Sequence, residues 1–422
     1  MLSNKAVLAG ILASVIALAP ASAQTRKSTP PFTARLEQSR STLEVDANGM
    51  HGAGALLIAD AVTKARYVVL GEDHLSREIP RFASAICQAM APGGLRAFAV
   101  ETGPEATRIV NANLRRSDRV ERLAAFMIGH PDAMAFQNGR DESDMAARCA
   151  GLAGPQFEIW GLDQEFFGAP GFLFAQMLAA RPGRAARATI ETLIVRDRAA
   201  TAAALASGSP GDLLLYQITD REMAEAQAAV SRDGNRRVNA LFDSFAETRS
   251  IFLGQNSDAY ASNGQRARLL KRTLMTHLAG DRSLGRVLFK FGDVHAAKGV
   301  NGLKQRDLGN FIAERAEGEG VSSLHIAVYG AKGTHALYGG VGRPVRLEPF
   351  TLINDADYAW LKDALTLRDK AGDDKRWMLV DLRAMRSQPP ADMPPAWRKK
   401  VYEFDMLVVA PELTPSSLIG SK

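Results

Sequence analysis

Arg66-Tyr67-Val68-Val69-Leu70-Gly71-Glu72-Asp73-His74 is the stretch that decides the fold. A run that is apolar on both faces of an extended chain belongs to a strand buried inside a sheet, and its abrupt polar ending places a turn at the carboxyl end. The same pattern recurs. Run 97–100 precedes Glu101-Thr102-Gly103, run 158–162 precedes Asp163-Gln164, and run 287–291 precedes Gly292-Asp293-Val294-His295. Runs 324–329, 378–380 and 406–409 end in Gly330-Ala331-Lys332-Gly333, Asp381 and Pro411-Glu412. Separated by helix-like stretches, these runs predict an α/β fold with a mostly parallel central sheet flanked by helices. Ligands of open α/β sheets bind at the carboxyl ends of the strands, so the polar endings predict a site along one edge.

Working outward, the chain of 422 residues is 46% hydrophobic and 23% charged, an ordinary globular composition that excludes disordered and fibrous classes. The 52 Lys and Arg against 46 Asp and Glu leave a net charge of +6, too small an excess at this length to point to nucleic acid. Lys5, the apolar stretch 6–19 and the small residues Ala21-Ser22-Ala23 read as a secretory signal peptide over 1–23, so a periplasmic or secreted protein is expected. No later stretch reaches the ~20 apolar residues of a membrane span, so no integral membrane segment is expected. Residues 24–42, polar and broken at Pro30-Pro31, read as a flexible leader to a single domain over 43–422. Within that domain, 170–281 is rich in Ala, Leu, Arg and Glu and reads as a helical insertion forming a lid, broken at Gly208-Ser209-Pro210-Gly211 and Asp233-Gly234. Cys87 and Cys149 are the only cysteines. In an oxidising compartment they form one disulfide or remain two buried thiols, and spacing does not choose between these.

Two of the polar endings, Gly71-Glu72-Asp73-His74 and Gly292-Asp293-Val294-His295, carry a carboxylate two residues before a histidine. Side chains two apart in extended backbone point to the same side, so each motif can present a carboxylate with an imidazole. Joined by Glu101 and Asp163, the set His74, His295, Glu72 and Asp293 suits proton transfer, because histidine titrates near neutrality and a carboxylate fixes its tautomer. His74, His295 and Glu101 equally suit a mixed coordination sphere for a divalent metal. Glu72 and Glu101 each follow an apolar run, where an unpaired charge is costly. Asp163 and Asp293 can instead cap the helices that follow them.

Arg268 and Arg272 fall on one helical face at i, i+4, which makes Arg268 a candidate for holding a polar substrate group, with a solvated basic face as the alternative. Glu78, four residues after His74, either returns toward the imidazole or lies on a solvated face. His325 lies inside an apolar run and reads as core, while His51, His130 and His335 carry no supporting pattern. No GxSxG, HExxH, GxxxxGK[ST] or GxGxxG is present, so the common serine-hydrolase, zincin and nucleotide-binding readings lack support.

Gly71-Glu72-Asp73-His74 after one strand, Glu101 closing the next and Gly292-Asp293-Val294-His295 late in the chain resemble the erythromycin esterase and ChaN-like superfamily, a clan with haem-binding uptake and Tiki-like members. The arginine-rich stretch 266–277 and the ending from Asp405 to Glu412 are similar to that superfamily as well, so the likeness spans 60–415. The first motif is one residue tighter than the Gly-Glu-x-x-His of the macrolide esterases and nearer the Gly-Glu-x-His of the ChaN-like branch. The resemblance implies ester or amide hydrolysis of a small-molecule substrate, with or without a metal. His74 would be the general base, Glu72 or Glu101 would orient it, and His295 would be a second acid/base or an electrophilic partner. The ChaN-like branch implies an alternative, a non-catalytic binder of iron, haem or another metal complex with His74 and His295 as ligands.

Overall fold

The computed structural model of the chain describes residues 30–280 and 285–420. The signal peptide read over 1–23, the first part of the leader and residue 281 lie outside the described residues. Among the described residues eleven strands appear in chain order: β1 (Arg40–Asp46), β2 (Gly49–His51), β3 (Tyr67–Glu72), β4 (Leu95–Val100), β5 (Glu158–Gly161), β6 (Arg286–Gly292), β7 (Ser323–Gly330), β8 (Lys332–Leu337), β9 (Arg346–Thr351), β10 (Trp377–Asp381) and β11 (Met406–Ala410). Nine of them form one sheet in the order β2-β1-β10-β11-β7-β3-β6-β4-β5, and β8 and β9 form a separate hairpin. From β11 to β5 every pairing is parallel, whereas β10, β1 and β2 join antiparallel. The fold is the mixed α/β architecture, mostly parallel at its centre, that the apolar runs predict.

The runs become strands because they are buried on both faces. In β3, Val68 and Leu70 enter one core layer with Phe82, Ile86 and Phe98, while Tyr67 and Val69 enter the other with Phe289, Phe291 and Leu270. One expectation needs correcting. Run 378–380 is a strand, but β10 lies antiparallel to β11 with Asp381 opposite Met406, so Asp381 sits at the far edge from the other polar endings. An apolar run carries no information about strand direction.

The expected leader also ends sooner than residue 42. Phe32–Gln38 is a helix whose Phe32 and Leu36 are buried, with Phe32 against Trp397 at 5.4 Å between ring centroids, and β1 follows at once. Two apolar residues at i, i+4 make a single buried stripe, too short to register as a period in sequence.

Between β5 and β6 the chain is helical: Pro170–Ala179, Arg184–Ser207, Asp220–Asp233, Arg236–Ser257 and Ala259–Gly280. Gly208, at φ +80°, ends the second of these in the left-handed conformation that glycine adopts without steric cost. Thr219 and Glu222 start the third with reciprocal side-chain to backbone bonds. Phe174, Ile190, Leu241, Phe242 and Phe245 give these helices a core of their own. Arg237 ties them to the body through a bidentate pair with Glu105, which is buried. On one face of the sheet Cys87 and Cys149 form a disulfide across 5.4 Å between Cα atoms, joining helices Glu78–Met90 and Arg140–Ala153. No described helix is long and apolar enough to cross a membrane.

Candidate active site

Strand register assembles the polar endings. Glu72 on β3 stands opposite Gly292 on β6, and Val100 on β4 stands opposite both Lys290 on β6 and Gly161 on β5. Glu72, Glu101, Asp163 and the turn at Gly292 therefore share one end of the sheet. His74 Nδ1 lies 2.9 Å from Glu72 Oε1, the same oxygen that Lys290 Nζ contacts. Lys290 also donates to Glu142 Oε1 at 2.8 Å, and Lys290, Glu72 and Glu142 are all buried.

Glu101 is the centre of the cluster. It accepts from Arg266 Nη2 at 2.6 Å and from the Gly292 backbone N–H at 2.7 Å. His74 Nε2 stands 3.4 Å from one of its oxygens and His295 Nε2 stands 3.7 Å from the other. Arg266 also donates from Nε to Asp163 Oδ1 at 3.0 Å. His295 turns Nδ1 to Asp307 at 2.7 Å, and Asp307 further accepts from Asn301 at 3.1 Å and from the Leu308 N–H at 2.8 Å. With both Asp307 oxygens engaged as acceptors, Nδ1 of His295 is the atom placed to donate to Asp307, which turns Nε2 toward Glu101. Gly292 is needed for close approach, since a Cβ there would stand 3.1 Å from His74 Nε2 and 3.5 Å from Glu101.

Burial pushes the His74 imidazole toward neutrality, but the charges and hydrogen bonds of Glu101 and Glu72 outweigh it and raise it to about 10. Burial likewise pushes Glu101 up, yet His295, His74 and Arg266 hold it well below the usual carboxylate range. Glu142, away from that cluster, is raised to about 7 chiefly by burial. At neutral pH the core of the site is therefore an imidazolium at His74 facing a carboxylate at Glu101.

The structure brings together Glu72, His74, Glu101, Asp163 and His295. Asp293 stands apart: it opens the short helix Asp293–Ala296 and accepts from Tyr329 at 2.6 Å. Asp163 does not cap a helix through its side chain but holds Arg266. Arg268 is exposed on the outside of helix Ala259–Gly280, and Arg272 pairs with Glu247 at 2.7 Å. The arginine inside the site is Arg266, two residues earlier and about 200° around the helix, as 3.6 residues per turn requires. Glu78 binds the backbone N–H and hydroxyl of Thr414 at 2.7 and 2.6 Å instead of reaching His74. His325 is a buried core residue whose Nδ1 meets the Ala296 carbonyl oxygen, and burial pulls it down to about 4. His335, which carries no sequence pattern, pairs with Asp73 at 2.9 Å.

Sequence reasoning missed Arg266, Lys290, Glu142, Asp307 and Phe136. Lys290 had a signal, being the one charge inside run 287–291, where burial demands a partner. The other four sit in helices and loops with no local pattern around them.

The metal-binding donor set does not fit. Among the described residues no group of three or more His, Cys, Asp or Glu side chains is placed to hold a metal ion. His74 and His295 both face Glu101, but the Arg266 guanidinium already neutralises that carboxylate from 2.6 Å.

Two clefts adjoin the cluster. An inner one of about 530 Å³ is lined by Glu101, Asp163, Arg266, Phe136, Phe166 and Phe252. An outer one of about 980 Å³ is lined by His74, Leu75, Phe136, His335, Tyr338 and Val345.

With this geometry in hand, solved structures give a match over nearly the whole chain. A mutant erythromycin esterase in its open conformation superposes with a TM-score of 0.60 at 14% identity, covering 90% of this chain and 99% of that one. The fold is erythromycin esterase-like. A succinoglycan biosynthesis protein superposes with a TM-score of 0.57 at 14% identity over 91% of this chain and 97% of its own. A protein from Bacillus cereus gives 0.57 at 11% identity over 92% of this chain and 100% of its own. No family model matches the chain, and no curated protein matches it in sequence. Identities this low carry the erythromycin esterase-like architecture alone, so the chemistry has to come from the site.

Proposed function

We propose that the protein is an exported hydrolase that cleaves an ester or amide bond in a small molecule without a metal, using two imidazoles arranged around Glu101. The observation that carries this reading is the convergence of His74 Nε2 and His295 Nε2 on one carboxylate, at 3.4 and 3.7 Å, while their Nδ1 atoms are anchored on Glu72 and Asp307. The erythromycin esterase-like fold supports it, and the Cys87–Cys149 disulfide supports export to an oxidising compartment.

The charge state of His74 reverses the role expected from its sequence. An imidazole raised to about 10 cannot take a proton at neutral pH, but it can give one. His295, with Asp307 fixing its tautomer, is the base: its Nε2 removes a proton from water as the water oxygen bonds to the substrate carbonyl carbon. His74 donates its Nε2 proton to the departing oxygen or nitrogen as that bond breaks. Glu101, between the two rings, stabilises whichever imidazole is charged, and the proton returns from His295 to His74 after product leaves.

A pH–rate profile on chromogenic p-nitrophenyl esters and anilides tests the assignment. With His74 as acid, kcat/KM falls as pH rises through about 10; with His74 as base it climbs until that point. His74→Asn and His295→Asn are each expected to lower turnover by about 10²–10⁴-fold. Full activity in both folded variants overturns the reading.

A further inference from the structure

We propose that Phe136 determines specificity by partitioning one substrate-binding region into two subsites, a compact one beside Arg266 and a larger one with an apolar wall of Leu75, Leu337 and Val345. The inference rests on the hydrolase reading above and adds the kind of substrate: an ester or amide with a small polar end and a bulkier apolar end. The inner and outer clefts share three wall residues, Ala135, Phe136 and Phe166. Of these, Phe136 alone also covers the chemistry. Its ring lies 3.9 Å from the His74 ring at an interplanar angle of 20°, so it shields one face of the imidazolium from between the two clefts.

The backbone that holds this ring is strained. Phe136 has φ +58°, and the Gln137 N–H donates to the Ala135 carbonyl at 2.8 Å. A bond from residue i+2 back to i around a positive-φ centre is the rare γ-turn, unfavourable for a bulky side chain and retained only where surroundings enforce it. The surroundings do so here. Ala133, Met134 and Gln137 are buried, and the hydroxyl of Thr102, the residue after Glu101, donates to the Ala135 carbonyl at 2.9 Å. Position 136 is thereby fixed from the residue next to the central carboxylate.

The linings on either side differ in arrangement. Glu101, Asp163 and Arg266 give the compact inner cleft its charges, whereas the larger outer cleft has an apolar wall of Leu75, Ala336, Leu337, Val345 and Leu418, with Asp73, Asp132 and Arg343 also in its lining. A substrate whose carbonyl sits beside His74 has to pass the Phe136 ring to occupy both, so the size of residue 136 sets which acyl groups fit.

The test is the kcat/KM ratio of p-nitrophenyl octanoate to p-nitrophenyl acetate for wild type, Phe136→Gly and Phe136→Tyr, with thermal melts as a fold check. Glycine removes the ring and relieves the positive φ together. Apolar-pocket discrimination is worth roughly 10-fold or more per methylene, so the ratio is expected to rise at least about tenfold in Phe136→Gly and to stay near wild type in Phe136→Tyr. An unchanged ratio in folded Phe136→Gly overturns the partition while leaving the hydrolase reading intact. No turnover of any ester or anilide by wild type overturns the hydrolase reading and the partition with it. Should the glycine variant unfold, Phe136→Leu trims the ring with an apolar side chain in place, and the same ratio decides.

Discussion

The two histidine motifs look alike in sequence and fold into different objects. In Glu72-Asp73-His74 the carboxylate two residues before the imidazole is its partner, at 2.9 Å. In Asp293-Val294-His295 it is not: Asp293 turns to Tyr329, and His295 takes Asp307, twelve residues downstream, at 2.7 Å. Local structure explains the difference. Glu72 is the last residue of β3 and the turn that follows brings His74 back beside it, but Asp293 and His295 lie in the helix Asp293–Ala296, where two residues span about 200°. The same spacing therefore builds a pair in one place and breaks it in the other. The lesson is that a two-residue spacing has no meaning until the backbone under it is known.

That contrast makes its strongest prediction at the second motif. If Asp307 holds the tautomer of His295, Asp307→Asn inverts the hydrogen bond and places hydrogen on Nε2, disabling the base. The analogous change in a serine-protease triad costs about 10⁴-fold in kcat, and a loss approaching that size is expected here. Asp293→Asn, at the position the sequence pattern nominates, is expected to stay within about tenfold of wild type, since its partner Tyr329 can still donate to an amide oxygen. Steady-state kinetics on one ester compares the two. Equal losses would mean that the motif works as a unit after all.

The supports beneath the two pairs differ as well. Glu72 rests on Lys290, a buried ammonium shared with Glu142, whereas Asp307 rests on Asn301 and a backbone N–H. Lys290→Met removes the ammonium that Glu72 and Glu142 share and is expected to cost about 3–5 kcal/mol in denaturant unfolding, as for a broken buried ion pair. Asn301→Ala removes one hydrogen bond to a carboxylate that keeps its others, along with Asn301's bonds to the backbone of Val294, Leu303 and Gln305, yet strips no charge of its partner, and about 1–3 kcal/mol is expected. A Lys290→Met variant as stable as Asn301→Ala would show that Glu72 and Glu142 relieve the charge by taking up a proton, a route the raised Glu142 makes accessible.

How much of this was legible follows from the same physics. Every two-faced apolar run became a strand, because only a strand buried on both sides needs that composition. The edge elements stayed hidden: β9 is exposed along nearly its whole length, and β2 has three residues, so neither shows a run or an alternation to read. Strand ends located Glu72, Glu101 and Asp163, since a charge after an apolar run has to be put to use. The parallel register of β3, β6 and β4 that brings them together is a property of pairing, which no single segment encodes. Asp307 caps helix Leu308–Gly318 and Glu142 lies on helix Arg140–Ala153, and both meet the site only through tertiary packing. Lys290 is the instructive case, a single charge in an apolar strand that announced a buried partner without naming it.

Arg266 and Arg268 repeat the theme at the smallest scale. Both lie on helix Ala259–Gly280, two residues apart, and the i, i+4 pairing of Arg268 with Arg272 draws attention to the wrong face. Arg266 bridges Glu101 and Asp163, so Arg266→Ala leaves two buried carboxylates without their cation and removes most activity together with stability. Arg268 is exposed and touches neither carboxylate, so Arg268→Ala is expected to shift stability by no more than about 0.5 kcal/mol. Its kcat/KM on the same ester should match wild type. A loss of activity confined to KM in Arg268→Ala would instead mean that substrate reaches around the helix to its outer face, and that the clefts beside His74 do not contain the whole of it.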